Sequence, residues 1–77
     1  MKELLTFILK EMLGNEDFKI EESEDDGRID FEIKTKKENI GLIIGKNGRI
    51  IKAIRNILKV RGTLEKKLVY LRVTEEL

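Results

Sequence analysis

The sequence predicts a small two-layer α+β domain in which three helices back three strands, in the order helix, strand, strand, helix, helix, strand. Three observations carry that prediction. Two segments alternate apolar and charged residues on either side of an Asp-Gly pair. Two isoleucine-rich segments with helical spacing meet at a Gly-x-x-Gly turn. A third strand-like segment, rich in Val, Leu and Tyr, closes the sequence. Helices and strands alternate too little for a doubly wound parallel sheet.

Residues 2–13 place Leu4, Leu5, Ile8, Leu9, Met12 and Leu13 on one helical stripe, with Lys2, Glu3, Lys10 and Glu11 on the wet side. Gly14 and Asn15 are suitable stop residues. Asp17–Glu22 and Arg28–Lys34 read as half-buried strands, with Phe18, Ile20, Ile29, Phe31 and Ile33 facing inward. The link Ser23-Glu24-Asp25-Asp26-Gly27 reads as a solvated hairpin loop. Its acidic cluster lacks the spacing of a calcium loop. Thr35-Lys36-Lys37-Glu38 matches a capping box, so a short helix is expected from about Lys36, burying Ile40, Ile43 and Ile44 and ending at Gly45.

The next helix is expected from Gly48 or Arg49 to about Arg61, with Leu64 continuing the apolar spacing past Gly62. At about 100° per residue, Ile50, Ile51, Ile54, Ile57 and Leu58 share an arc of roughly 120°, bordered by Lys52, Arg55 and Lys59. Lys67–Val73 reads as the third strand, and Thr74–Leu77 as a frayed tail.

Seventy-seven residues make a single domain spanning 1–77, and a chain this short buries only about 60% of its unfolded surface. No Cys and no His are present. Disulfides, thiolate metal sites and histidine general-base chemistry are therefore excluded, and a reducing cytoplasm fits. No metal or cofactor is expected. The apolar run Leu4–Leu9 is too short to span a membrane, and nothing reads as a signal peptide. The few hydroxyls and loop carboxylates offer no activated nucleophile or base, so an enzyme is the weakest reading.

Net charge is +1, but its distribution is uneven. Residues 1–38 hold seven basic and twelve acidic side chains, whereas residues 39–64 hold Lys46, Arg49, Lys52, Arg55, Lys59 and Arg61 and no acid. A basic run alone is as often a solvated helix face as a binding site. Here it gathers around Gly45-Lys46-Asn47-Gly48, and a helix N-terminus beside a glycine turn attracts anions. A Walker loop does not fit, because Gly41 and Gly45 are one residue too close and Asn47 stands where a hydroxyl is needed. A dinucleotide fingerprint lacks its third glycine. A helix–GxxG–helix clamp on single-stranded nucleic acid does fit.

Ile43-Ile44-Gly45-Lys46-Asn47-Gly48-Arg49-Ile50-Ile51 resembles the KH-domain signature, aliphatic-Ile-Gly-x-x-Gly-x-x-Ile. The element order resembles the type II KH arrangement, and the likeness to small stand-alone bacterial KH proteins runs along nearly the whole chain. Leu42 and Val60-Arg61-Gly62-Thr63 depart from the usual pattern. The resemblance implies a three-stranded mixed sheet and a cytoplasmic RNA-binding protein that forms homodimers or pairs with a larger KH protein. The RNA-binding residues expected are Ile43, Ile44, Gly45, Lys46, Asn47, Gly48, Arg49, Ile51, Lys52 and Arg55, with Tyr70 a minor stacking partner. The principal rival is a dimerising interaction module with little RNA affinity, using an exposed patch that contains Ala53 and Val60. Single-stranded DNA is the alternative ligand.

Overall fold

The computed structural model describes residues 1–76. Helix α1 spans Lys2–Leu13 and buries Leu5 and Leu9 completely. It ends where Gly14 turns left-handed (φ 71°) and donates its N–H to the Lys10 carbonyl. Strands β1 (Phe18–Asp25) and β2 (Arg28–Thr35) then pair antiparallel along their full length, from Phe18 opposite Thr35 to Asp25 opposite Arg28.

The expected five-residue loop is therefore only a two-residue turn. Asp26 and Gly27 both take positive φ, the combination that matches strand twist in tight hairpins. Glu24 and Asp25 lie on an edge strand, where charge discourages pairing with another sheet. Glu24, for example, pairs with Lys67.

Helix α2 spans Lys37–Ile44, a 3₁₀ turn covers Lys46–Gly48, and α3 spans Arg49–Leu64. Strand β3 (Leu68–Glu75) lies parallel to β2, giving a mixed sheet in the order β1-β2-β3. The architecture is the predicted α+β one, in the type II KH order. Ile29, Phe31 and Ile33 of β2 and Val69 and Leu71 of β3 meet Leu5, Leu9, Ile43, Ile54 and Leu58 of the helices in one core. The other sheet face is polar and laced with ion pairs such as Lys34–Glu21 and Arg72–Glu32. Lys34 holds the Glu21 carboxyl below its ordinary range by hydrogen bonding and charge. Among the described residues no helix is long and apolar enough to cross a membrane.

Several boundaries shift. Thr74 and Glu75 belong to β3, and Leu77 lies outside the described residues. Helix α3 runs through Gly62 to Leu64 instead of stopping near Arg61. Phe7 is 61% exposed, while Phe31 is core and Phe18 half-buried. The capping box does not form: Lys36 is the N-cap of α2, and no side chain caps it.

The Thr35 hydroxyl is used elsewhere. It donates to the Asp17 carbonyl at 2.6 Å and accepts from Asn39 Nδ2 at 3.0 Å. Asn39, 2% exposed, also donates to the Asp17 carbonyl and to Asn15 Oδ1. This satisfied polar cluster ties the end of α1 and the start of β1 to the start of α2. Asn39→Ala removes its hydrogen bonds to Thr35, Asp17 and Asn15 and empties a buried site, so the expected cost is about 2 kcal/mol, a Tm fall of roughly 8–16 °C. Thermal denaturation followed by circular dichroism checks it.

Candidate nucleic-acid interface

The turn between α2 and α3 exists because its backbone takes angles that side chains resist. Gly45 sits at φ 73°, ψ 178°, a region open essentially to glycine alone. A Cβ there would lie 2.6 Å from Ile50 Cγ1, so the Ile50 side chain rests directly on the Gly45 backbone. Asn47 (φ 58°, ψ 25°) and Gly48 (φ 73°, ψ 16°) are both left-handed. The Gly45 N–H donates to the Gly41 carbonyl at 3.0 Å, and the Gly48 N–H donates to the Gly45 carbonyl at 3.2 Å. The tip, Lys46 and Asn47, is exposed. Gly48 is the N-cap of α3 with no side-chain cap, so the positive end of the helix dipole meets no side-chain acceptor at its cap.

The cations lie open along α3. Lys46, Arg49, Lys52 and Lys59 are exposed, and among the described residues no carboxylate pairs with any of them or with Arg55. Arg61, by contrast, is paired with Glu65. Arg55 departs from the simple picture of a cation beside the turn. It is half-buried, and its Nη2 reaches the Leu71 carbonyl of β3 at 3.5 Å. Leu68 and Glu76 donate their N–H groups to Gly27 and Thr35, toward β2, so by strand alternation the Leu71 carbonyl points off the free edge of the sheet. Arg55 thus spans from α3 to that edge. Further along, Lys59, Thr63, Lys67, Leu68, Val69 and Tyr70 line an open cavity of about 250 Å³.

The isoleucines separate into floor and surface. Ile43 is fully buried and cannot touch a ligand; it supports the turn from beneath. Ile44, expected in the core, is 39% exposed, and Ile51 is half-buried. Ile50, assigned to the core arc by periodicity, is 37% exposed beside the turn and joins the candidate surface. Tyr70 is partly occupied already, because the Arg28 guanidinium lies 4.1 Å over its ring and is itself held by Asp30. One face of that ring is therefore closed to a base. Lys59 and the β3 edge were not among the expected site residues. Helical spacing already set Lys59 beside Lys52 and Arg55, but nothing local marks a sheet edge.

A family model described as "KhpA/KhpB, KH domain" matches residues 2–73. Three curated relatives, each named RNA-binding protein KhpA, are similar over almost their whole length. The one from Chlamydia pneumoniae is 39% identical over 77 residues, covering 99% of each chain. That from Listeria monocytogenes is 36% identical over 76 residues, covering 97% of this chain and 100% of the relative. That from Clostridium perfringens is 38% identical over 74 residues, covering 95% and 99%.

Proposed function

The chain belongs to the KhpA/KhpB KH-domain family, and from that membership we propose that it binds single-stranded RNA by clamping the sugar-phosphate backbone of about four nucleotides against the Gly45–Gly48 turn. The observation that carries this reading is the exposed, bulk-free turn at the N-terminus of α3 with unpaired cations beside it. Gly48 lets a backbone approach while Gly45 shapes the turn over Ile50, Lys46 supplies a flexible point charge, and Asn47 offers an amide donor. Arg49 and Lys52 meet flanking phosphates. Ile44, Ile50 and Ile51 give bases an apolar floor, and Arg55 adds positive charge at the β3 edge. The role is that of a cytoplasmic RNA chaperone or post-transcriptional regulator, a binding protein and not an enzyme.

About three neutralised phosphates give a salt slope near −2 on a single strand. Fluorescence anisotropy of a labelled RNA across a salt series checks it, and a slope near zero overturns the clamp. The same series with single-stranded DNA separates the two ligands.

A second reading rests on its own observation. Ala53, Ile57, Val60 and Leu64 follow 4-3-4 spacing along α3 and are all exposed, Val60 by 65% and Leu64 by 77%. That spacing suits a two-helix seam, and the stripe lies on a different side of α3 from Lys52, Arg55 and Lys59. A second copy turned end for end would bring Val60 against Ala53 about an axis through Ile57. We assign this stripe to homodimerisation or to pairing with a larger, KhpB-like KH protein. Both readings hold together, since a dimer adds a second weak clamp by effective concentration. Val60→Asp should move a dimeric chain to monomer in sedimentation velocity; an unchanged dimer rules the stripe out.

A further inference from the structure

We propose that Asn47 is a self-modification site, whose spontaneous deamidation sets a carboxylate in the clamp and weakens its hold on RNA. The effect on RNA rests on the clamp reading above; the chemistry does not. Four asparagines are present, and only Asn47 is followed by glycine. Asn15 is followed by Glu16, Asn39 by Ile40 and Asn56 by Ile57. A glycine on the C-terminal side leaves the attacking nitrogen unshielded by any side chain. The structure sharpens that contrast. Asn15 and Asn39 are hydrogen-bonded to each other, and Asn56 is held within α3. Asn47 is exposed at the tip of the turn, and its side chain makes no hydrogen bond among the described residues.

The Gly48 backbone nitrogen gives up its proton to solvent and attacks Cγ of Asn47. The bond from Cγ to the side-chain nitrogen breaks, ammonia leaves, and a five-membered succinimide remains. Water opens the ring at one carbonyl to aspartate or at the other to isoaspartate, so water is the only co-reactant. In the resting turn the Gly48 N–H is held by the Gly45 carbonyl at 3.2 Å, and this bond must open first. The reaction is therefore paced by opening of the turn, slower than in a free peptide of the same sequence. Either product sets a carboxylate between Lys46 and the N-terminus of α3, where a phosphate would sit. Isoaspartate also adds a backbone carbon to a turn that Ile50 packs against directly.

The full-length chain held in warm, mildly alkaline buffer and mapped by peptide mass spectrometry tests the chemistry. Asn47 should convert at least about tenfold faster than Asn15, Asn39 or Asn56, yet more slowly than in the free peptide. Conversion at Asn47 no faster than at Asn56 overturns the proposal. Ion exchange then separates converted from unconverted protein, and anisotropy with a labelled single-stranded RNA should show affinity at least about tenfold weaker in the converted fraction. Equal affinity in two fractions that both bind overturns the switch. Absence of binding in the unconverted fraction instead sinks the clamp reading and leaves conversion at Asn47 standing on mass alone.

Discussion

Replacing Lys46 and Asn47 together by aspartate should remove the proposed RNA binding and leave the fold intact. The loss follows from what the tip offers a phosphate. Charge-assisted hydrogen bonds are worth about 1.5–3 kcal/mol each, so two lost contacts weaken binding at least about 100-fold. Two carboxylates facing a polyanion add repulsion to that loss. The fold survives for reasons equally local. Both side chains are exposed, and neither makes a hydrogen bond or ion pair among the described residues. Asn47 holds a left-handed backbone, which aspartate tolerates nearly as well. Negative charge at the start of α3 complements the helix dipole. Anisotropy with single-stranded RNA, read beside a thermal melt, checks both halves. A folded double variant with parental affinity would place the RNA elsewhere on the molecule.

Much of this site was legible because its signals are local. Two glycines three residues apart, a cluster of cations without acids, and isoleucines at helical spacing all sit within Ile40–Arg61, and the fold around them obeys periods of two and 3.6. What failed to show depends on distant partners. Helical spacing put Ile50 and Ile57 in one arc with Ile54 and Leu58, but only the sheet's position decides that the first two fall at the exposed rim. Thr35 had the right spacing for a capping box, yet its hydroxyl found the Asp17 carbonyl, 18 positions away. Nothing local marks Asn39 as core, yet it is nearly inaccessible, held by Thr35, Asp17 and Asn15. Arg55 belonged to the basic run by spacing, whereas its contact with β3 is tertiary.

Gly62→Ala should be among the most destabilising small substitutions in the chain, against the expectation from helix propensity. An interior helical glycine normally gains about 1 kcal/mol on becoming alanine. Gly62, however, is buried where α3 packs on β3. A Cβ there would lie 2.5 Å from Val69 Cγ2 and 2.7 Å from the Lys67 carbonyl oxygen. The side chain could rotate away, but the carbonyl is backbone. It belongs to the turn stitched to the helix end by Lys67 N–H donating to the Gly62 carbonyl at 2.7 Å. Relieving the clash means lifting α3 from the strand or breaking that turn. Overpacking of this kind costs about 2–3 kcal/mol, a large share of the roughly 4–11 kcal/mol that holds a domain of this size. Gly41 in α2 supplies the opposite case, since a Cβ there meets nothing within 4 Å. Gly41→Ala should stabilise by about 0.5–1 kcal/mol. Urea denaturation of both variants reads the two signs side by side. A Gly62→Ala chain as stable as the parent would mean that α3 stands further from β3 than described, which would also free Arg55 from Leu71.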